Sequence, residues 1–245
     1  MNEEVRALGF FSYIEAIMSR KIFIKIERPD DNRMCELGYH VVSGHTRVCK
    51  SGTSTWVDTH IRKNHGKKLM YLAENLLFLY WSNKKTYETI NAVKGFLPYH
   101  EIDPIIQFWL DYWREQGIEF PEGLTPLHIK VLIAIESSFN VIARPKTTSA
   151  VGFMQILRGA RNSLAGTLDV KNNEVKDHHI YVTELQLEDP IINIAFGTRW
   201  FAHKFYLMRN HKDKSLKKTL KFYYSNDDAG EKYAEKILNL YEQSK

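Results

Sequence analysis

Apolar positions return at helical spacing through most of this chain, and they alternate only in short runs between residues 22 and 57. Leu127, Val131, Leu132, Ile135 and Phe139 recur every three to four residues, so one helical face there belongs to a core. Thr125 and Pro126 stand at its start. Threonine can cap a helix, and proline suits the first helical position, where its missing N–H costs nothing. Upstream, the spacing predicts helices over residues 5–20, 67–81, 85–96 and 102–116. Residues 22–27 read as a strand. Tyr39 to Val42, Thr46 to Cys49 and Thr55 to Val57 form short β-like runs with turns at Gly44 and Ser51-Gly52, which predicts a small β-meander. Gly117 and Pro121-Glu122-Gly123 break the pattern. The chain therefore divides into residues 1–120, a small α+β region, and residues 121–245, a helical part. The fold class is mainly α. No internal repeat or low-complexity segment interrupts it.

One charged residue stands out against this pattern. Glu136 ends the apolar run Val131-Leu132-Ile133-Ala134-Ile135, in the last turn of its helix. The helix dipole there favours cations, and both that field and burial disfavour the charged carboxylate. Such a carboxyl group holds its proton to higher pH and suits acid catalysis. A solvated surface glutamate is the alternative that the physics of this residue leaves open.

The residues around it resemble a known family. Glu136-Ser137-Ser138-Phe139-Asn140 is similar to the catalytic signature of the lysozyme-like lytic transglycosylases. Gly152-Phe153-Met154-Gln155-Ile156 resembles their Gly-Leu-Met-Gln-Ile segment. Leu187 to Gly197 resembles their Leu-x-Asp-Pro-x-x-Asn-Ile-x-x-Gly segment. Leu220 to Asn226 falls where the family has Ala-Tyr-Asn-Ala-Gly, which places Tyr223 on the family tyrosine. The resemblance spans about residues 124–243, and four motifs in order make it specific. The departures are Val141 for the usual proline, Ser149 for a glycine, Tyr224 for asparagine and Asn226 for glycine. The stretch between Glu136 and Gly152 is about one residue longer than usual.

The resemblance implies a lysozyme-like α-helical catalytic domain that cuts the β-1,4 bond between N-acetylmuramic acid and N-acetylglucosamine in peptidoglycan glycan strands. Glu136 would be general acid and then general base, leaving 1,6-anhydro ends. Gly152, Phe153, Met154 and Gln155 would contact the N-acetyl sugar. Tyr223 would orient Glu136 through its hydroxyl; Ser138 would bind substrate, or it and Ser137 would hydrogen-bond Glu136 or close the helix end. Core packing is an alternative for Met154 and Tyr223. No cofactor or metal is implied. The residues agree with one-acid chemistry, because no Asp or Glu occurs from Ser137 to Leu168. Most glycosidases need two carboxylates. The next acids, Asp169, Glu174 and Asp177, lie in a polar stretch. A serine hydrolase is excluded for want of a Gly-x-Ser-x-Gly elbow.

Charge and composition add less. The net charge of +5 arises in the first hundred residues, with 15 Lys/Arg against 10 Asp/Glu; the remainder carries 19 against 19. A basic face attracts polyanions. An ordinary solvated basic face is the preferred reading, and nucleic acid is not expected as a partner. Cys35, His40, His45, Cys49, His60 and His65 share one stretch, but their spacing matches no common zinc pattern. Cys35 and Cys49 are either a disulfide or two free thiols. No stretch reaches the roughly 20 apolar residues of a membrane span. The first residues, Met1-Asn2-Glu3-Glu4, are not of signal-peptide type.

A wall-directed enzyme made in the cytoplasm then needs a delivery route. A type VI secretion effector, with an immunity protein in the producer, is the leading expectation, and a phage endolysin is another. Three further readings stay open: a goose-type lysozyme-like hydrolase, a chitin-directed enzyme, and a non-catalytic wall binder on the same fold.

Overall fold

Two helices buried along most of their length organise the fold. In the computed structural model, the described residues are 70–83, 85–166 and 178–245, with the backbone of four strands between residues 39 and 63. The expected helix over 5–20, the strand over 22–27 and Cys35, Cys49, His65, Asp169, Glu174 and Asp177 lie outside them. The four strands are β1 (Tyr39–Val42), β2 (His45–Val48), β3 (Ser54–Val57) and β4 (His60–Lys63). They do not form the expected meander. β2 pairs with β3, and β1 pairs with β4, both antiparallel, so one hairpin is nested within another ladder. A meander would pair neighbours in sequence; here only the inner turn does so.

Seven helices carry the described body. They are α1 (Ala73–Asn83), α2 (Asp103–Glu115), α3 (Pro126–Ser137), α4 (Arg158–Leu164), α5 (Pro190–Leu207), α6 (Leu216–Tyr224) and α7 (Asp228–Glu242). Helix α3 starts where Thr125 and Pro126 predict. Every residue from Leu127 to Ala134 is buried, including Lys130. The pattern predicted one buried face; the helix is enclosed on all sides, as for a helix at the centre of a core. Helix α5 is the second such element, with residues 190–199 buried. Asp189 caps it, its carboxylate accepting from the Ile191 and Ile192 N–H groups at 2.8 and 3.2 Å. Pro190 occupies the first turn, where it lacks nothing.

Described residues between 70 and 120 share this core. Trp113 of α2 is fully buried and donates its indole N–H to the Ala195 carbonyl and the Thr198 hydroxyl of α5, both at 3.2 Å. Tyr71 meets the Trp113 ring edge-on at 5.3 Å. Tyr71 belongs to β5 (Met70–Leu72), which pairs in parallel with β6 (His179–Tyr181). Of the helix expected over 67–81, the described residues form a short strand, Met70–Leu72, followed by α1.

The helix expected over 85–96 is absent, and a buried ion pair explains it. Lys130 reaches Asp103 at 2.7 Å, with both side chains almost wholly inaccessible. The pair takes up the backbone of Ile90 on both sides. Its N–H donates to Asp103 Oδ2 at 3.0 Å, and its carbonyl accepts from Lys130 Nζ at 3.1 Å. Groups that a helix would pair locally are therefore satisfied by distant side chains. His100 completes the cluster at 3.0 Å from Asp103.

Candidate active site

Glu136 lies in the last turn of α3, and the chain reverses sharply after it. Ser138 (φ 50°) and Phe139 (φ 59°) are both left-handed, an uncommon state for residues other than glycine. The Ser138 N–H closes the helix on the Ala134 carbonyl at 2.9 Å, and Ser137 Oγ returns to Ile133 O at 3.1 Å. Both serines therefore finish the helix. Asn140 makes a turn, its side chain accepting from the Ile142 N–H. What fixes the strained turn is Phe139. Its ring is buried, stacked on Tyr99 at 4.5 Å and edge-on to Phe96 at 5.8 Å. Strain of this kind persists only where packing over-determines it.

Glu136 itself is partly buried. Burial raises its pKa above the ordinary carboxylate value, while a hydrogen bond from Tyr233 and the charge of Lys236 pull it back. The Tyr233 hydroxyl donates to Glu136 Oε1. Tyr233 is buried on α7, and burial next to Glu136 holds its phenol well above the ordinary value, so it stays a donor. This is the partner that the motif comparison assigned to Tyr223. The signal for it was present but weak: Gly230, Tyr233, Ala234 and Ile237 share the buried face of α7.

Tyr223 does something else. Its hydroxyl donates to the Met154 carbonyl at 2.8 Å. Met154 is fully buried, and its N–H donates to Asn193 Oδ1 at 2.9 Å. Asn193 Nδ2 holds Leu187 O at 2.7 Å and Val151 O at 3.1 Å. One buried asparagine therefore clamps the Gly152–Ile156 turn to the start of α5. Two glycines make the fit possible. A Cβ on Gly152 (φ +76°) would stand 2.1 Å from Asn193 Nδ2, and one on Gly197 would stand 2.2 Å from Met154 Sδ. The second, third and fourth sequence motifs thus meet at one joint.

The other expected site residues are placed as follows. Phe153 is fully buried and serves the core with its ring. Gln155 (φ 46°) is half-buried, its amide nitrogen donating to Gly152 O at 2.8 Å and Ala143 O at 3.3 Å. Ser138 is exposed. Tyr223 donates to Met154 and not to Glu136; burial, and then the charge on Glu136, raise its pKa.

Comparison with known families decides the nature of this region. Residues 118–217 match the Transglycosylase SLT domain. Glu136, the Gly152–Ile156 turn and the capped start of α5 all lie within the SLT segment. Tyr223 and Tyr233 lie beyond its matched end. An SLT domain supports activity of the peptidoglycan lytic transglycosylase type and suggests action at the wall or periplasm. No curated protein and no solved structure matches the chain. No helix among the described residues is long and apolar enough to cross a membrane.

Proposed function

We propose that the chain is a lytic transglycosylase that cuts peptidoglycan glycan strands, with Glu136 as its one acid and base. The observation carrying this reading is the Glu136 carboxyl at the end of α3, its pKa raised by burial and its Oε1 held by the Tyr233 hydroxyl. Protonated Glu136 gives its proton to the glycosidic oxygen as the bond to the muramic acid C1 breaks. The sugar's N-acetyl group supports the cationic centre. The resulting carboxylate then takes the proton of the same sugar's 6-hydroxyl as that oxygen closes on C1. The product is a 1,6-anhydro end, no water is consumed, and Glu136 is restored.

A single group serves both steps best when its pKa lies near the working pH. Burial raises the Glu136 pKa, and the Tyr233 hydrogen bond and the Lys236 charge oppose it. Among the described residues, the groups acting on it are Tyr233 and Lys236. Gln155 and the backbone of the Gly152–Ile156 turn are proposed to receive the N-acetyl sugar. Mass spectrometry of fragments from purified sacculi tests the chemistry. Anhydro ends support it; reducing ends would mean hydrolysis.

A further inference from the structure

Tyr224 is the residue that the sequence motifs do not account for, since the family resemblance has asparagine there. It ends α6, and only a short turn separates it from α7. Ser225 closes α6 and bonds Asp227, and Asp227 caps α7 by accepting from the Ala229 and Gly230 N–H groups at 3.0 and 3.2 Å. Gly230 makes the turn this tight, because a Cβ there would stand 2.1 Å from the Ser225 carbonyl. The result is that Tyr224 lies flat on Tyr233, with ring centroids 4.7 Å apart and planes 18° apart. Tyr233 is the residue that holds Glu136. Tyr224 nevertheless stays 58% exposed.

A parallel stack covers one face of a ring. The exposure of Tyr224 therefore belongs largely to its other face and to its edge. Among the described residues, no aromatic partner other than Tyr233 stacks on it. A rigid aromatic face open to solvent, one ring removed from a partly buried acid, suits the apolar face of a pyranose. Aromatic side chains offer such area at little entropic cost, because few torsions need fixing. Tyr233 fixes this one in advance.

We infer that Tyr224 is a stacking platform for a sugar ring of the glycan strand beside Glu136, and so a determinant of affinity and specificity. The inference rests on the site reading of the preceding section. The platform acts on binding and leaves the acid alone, so its removal weakens the hold on the strand without moving the titration of Glu136.

The test is binding of soluble, uncrosslinked glycan strands to the full-length chain carrying Glu136→Gln, which binds without turnover. Adding Tyr224→Ala or Tyr224→Asn is expected to weaken binding about three- to tenfold, the worth of an aromatic face contact. Tyr224→Phe and Tyr224→Trp are expected to bind as the parent does. In the active enzyme, Tyr224→Ala is expected to raise KM by a similar factor and leave the pH profile of kcat in place. Unchanged affinity in the alanine variant, with the parent binding normally, overturns the platform alone. An equal loss in the phenylalanine variant also overturns it, since the hydroxyl would then be the contact. A shifted pH profile overturns it in favour of a role in positioning Glu136 through Tyr233. Absence of any glycan binding by the Glu136→Gln parent overturns both the platform and the site reading.

Discussion

The Tyr233 hydroxyl donates to the Glu136 carboxylate from 97 residues away in the chain. Two opposing influences on one acid follow from this contact and from burial. Their separation is measurable. Tyr233→Phe removes the hydrogen bond that lowers the Glu136 pKa, so that pKa rises. The fall of kcat/KM with rising pH, which marks loss of the Glu136 proton, is predicted to move to higher pH. Tyr223→Phe is predicted to leave that limb in place, because its hydroxyl serves Met154. Its cost appears instead in stability, at about 1 kcal/mol for the lost bond. Equal shifts in the two variants would contradict the assignment.

Helix α3 carries a second titrating group at its other end. His128 Nδ1 accepts from the Thr125 N–H at 3.2 Å, and its ring stacks on Tyr241 at 3.6 Å. Burial pushes the imidazole down to about 4, with the Lys245 charge adding to the effect and Glu242 opposing it. The folded pKa is thus below the unfolded value near 6.5. Stability from this group is full above 6.5 and is lost as pH falls toward about 4. His128→Gln keeps an acceptor of the capping-box type and does not titrate. Thermal melts across this window are predicted to show a shallower slope for the variant, and an unchanged slope would refute the account.

The Asp103–Lys130 pair joins the segment before residue 118 to α3. Removing one partner leaves a buried charge, so Lys130→Met is predicted to cost about 3–5 kcal/mol in urea unfolding. Combining it with Asp103→Asn removes the stranded charge and keeps an acceptor for the Ile90 N–H. The double variant is predicted to lose clearly less than the sum of the singles. Strict additivity would mean that the pair is not coupled.

These cases also explain what could be read from the residues alone. Helix α3 rests on local rules of capping and proline placement, which sequence spacing carries; the Gly152–Ile156 turn and the Leu187–Gly197 segment were legible only through the family resemblance. Residues 85–96 were expected to be helical because their apolar positions suit it. The groups that overrule the helix, Asp103 and Lys130, act from 13 and 40 residues beyond Ile90. The two tyrosines divide in the same way. The motif placed Tyr223 at the site, yet which hydroxyl meets Glu136 depends on how α7 folds back over α3, a tertiary fact. Enclosure of α3 on every side likewise depends on its neighbours.

Conversion of purified sacculi by the wild-type chain and by Glu136→Gln tests the central claim most directly. The substitution keeps the shape of the side chain and an acceptor for Tyr233 while removing the transferable proton. A positioned acid or base is worth roughly 10²–10⁴ in rate. The account predicts that 1,6-anhydro fragments, abundant with the wild type, fall by at least about 10²-fold in the variant. Release of fragments by Glu136→Gln at a rate comparable to wild type would contradict it.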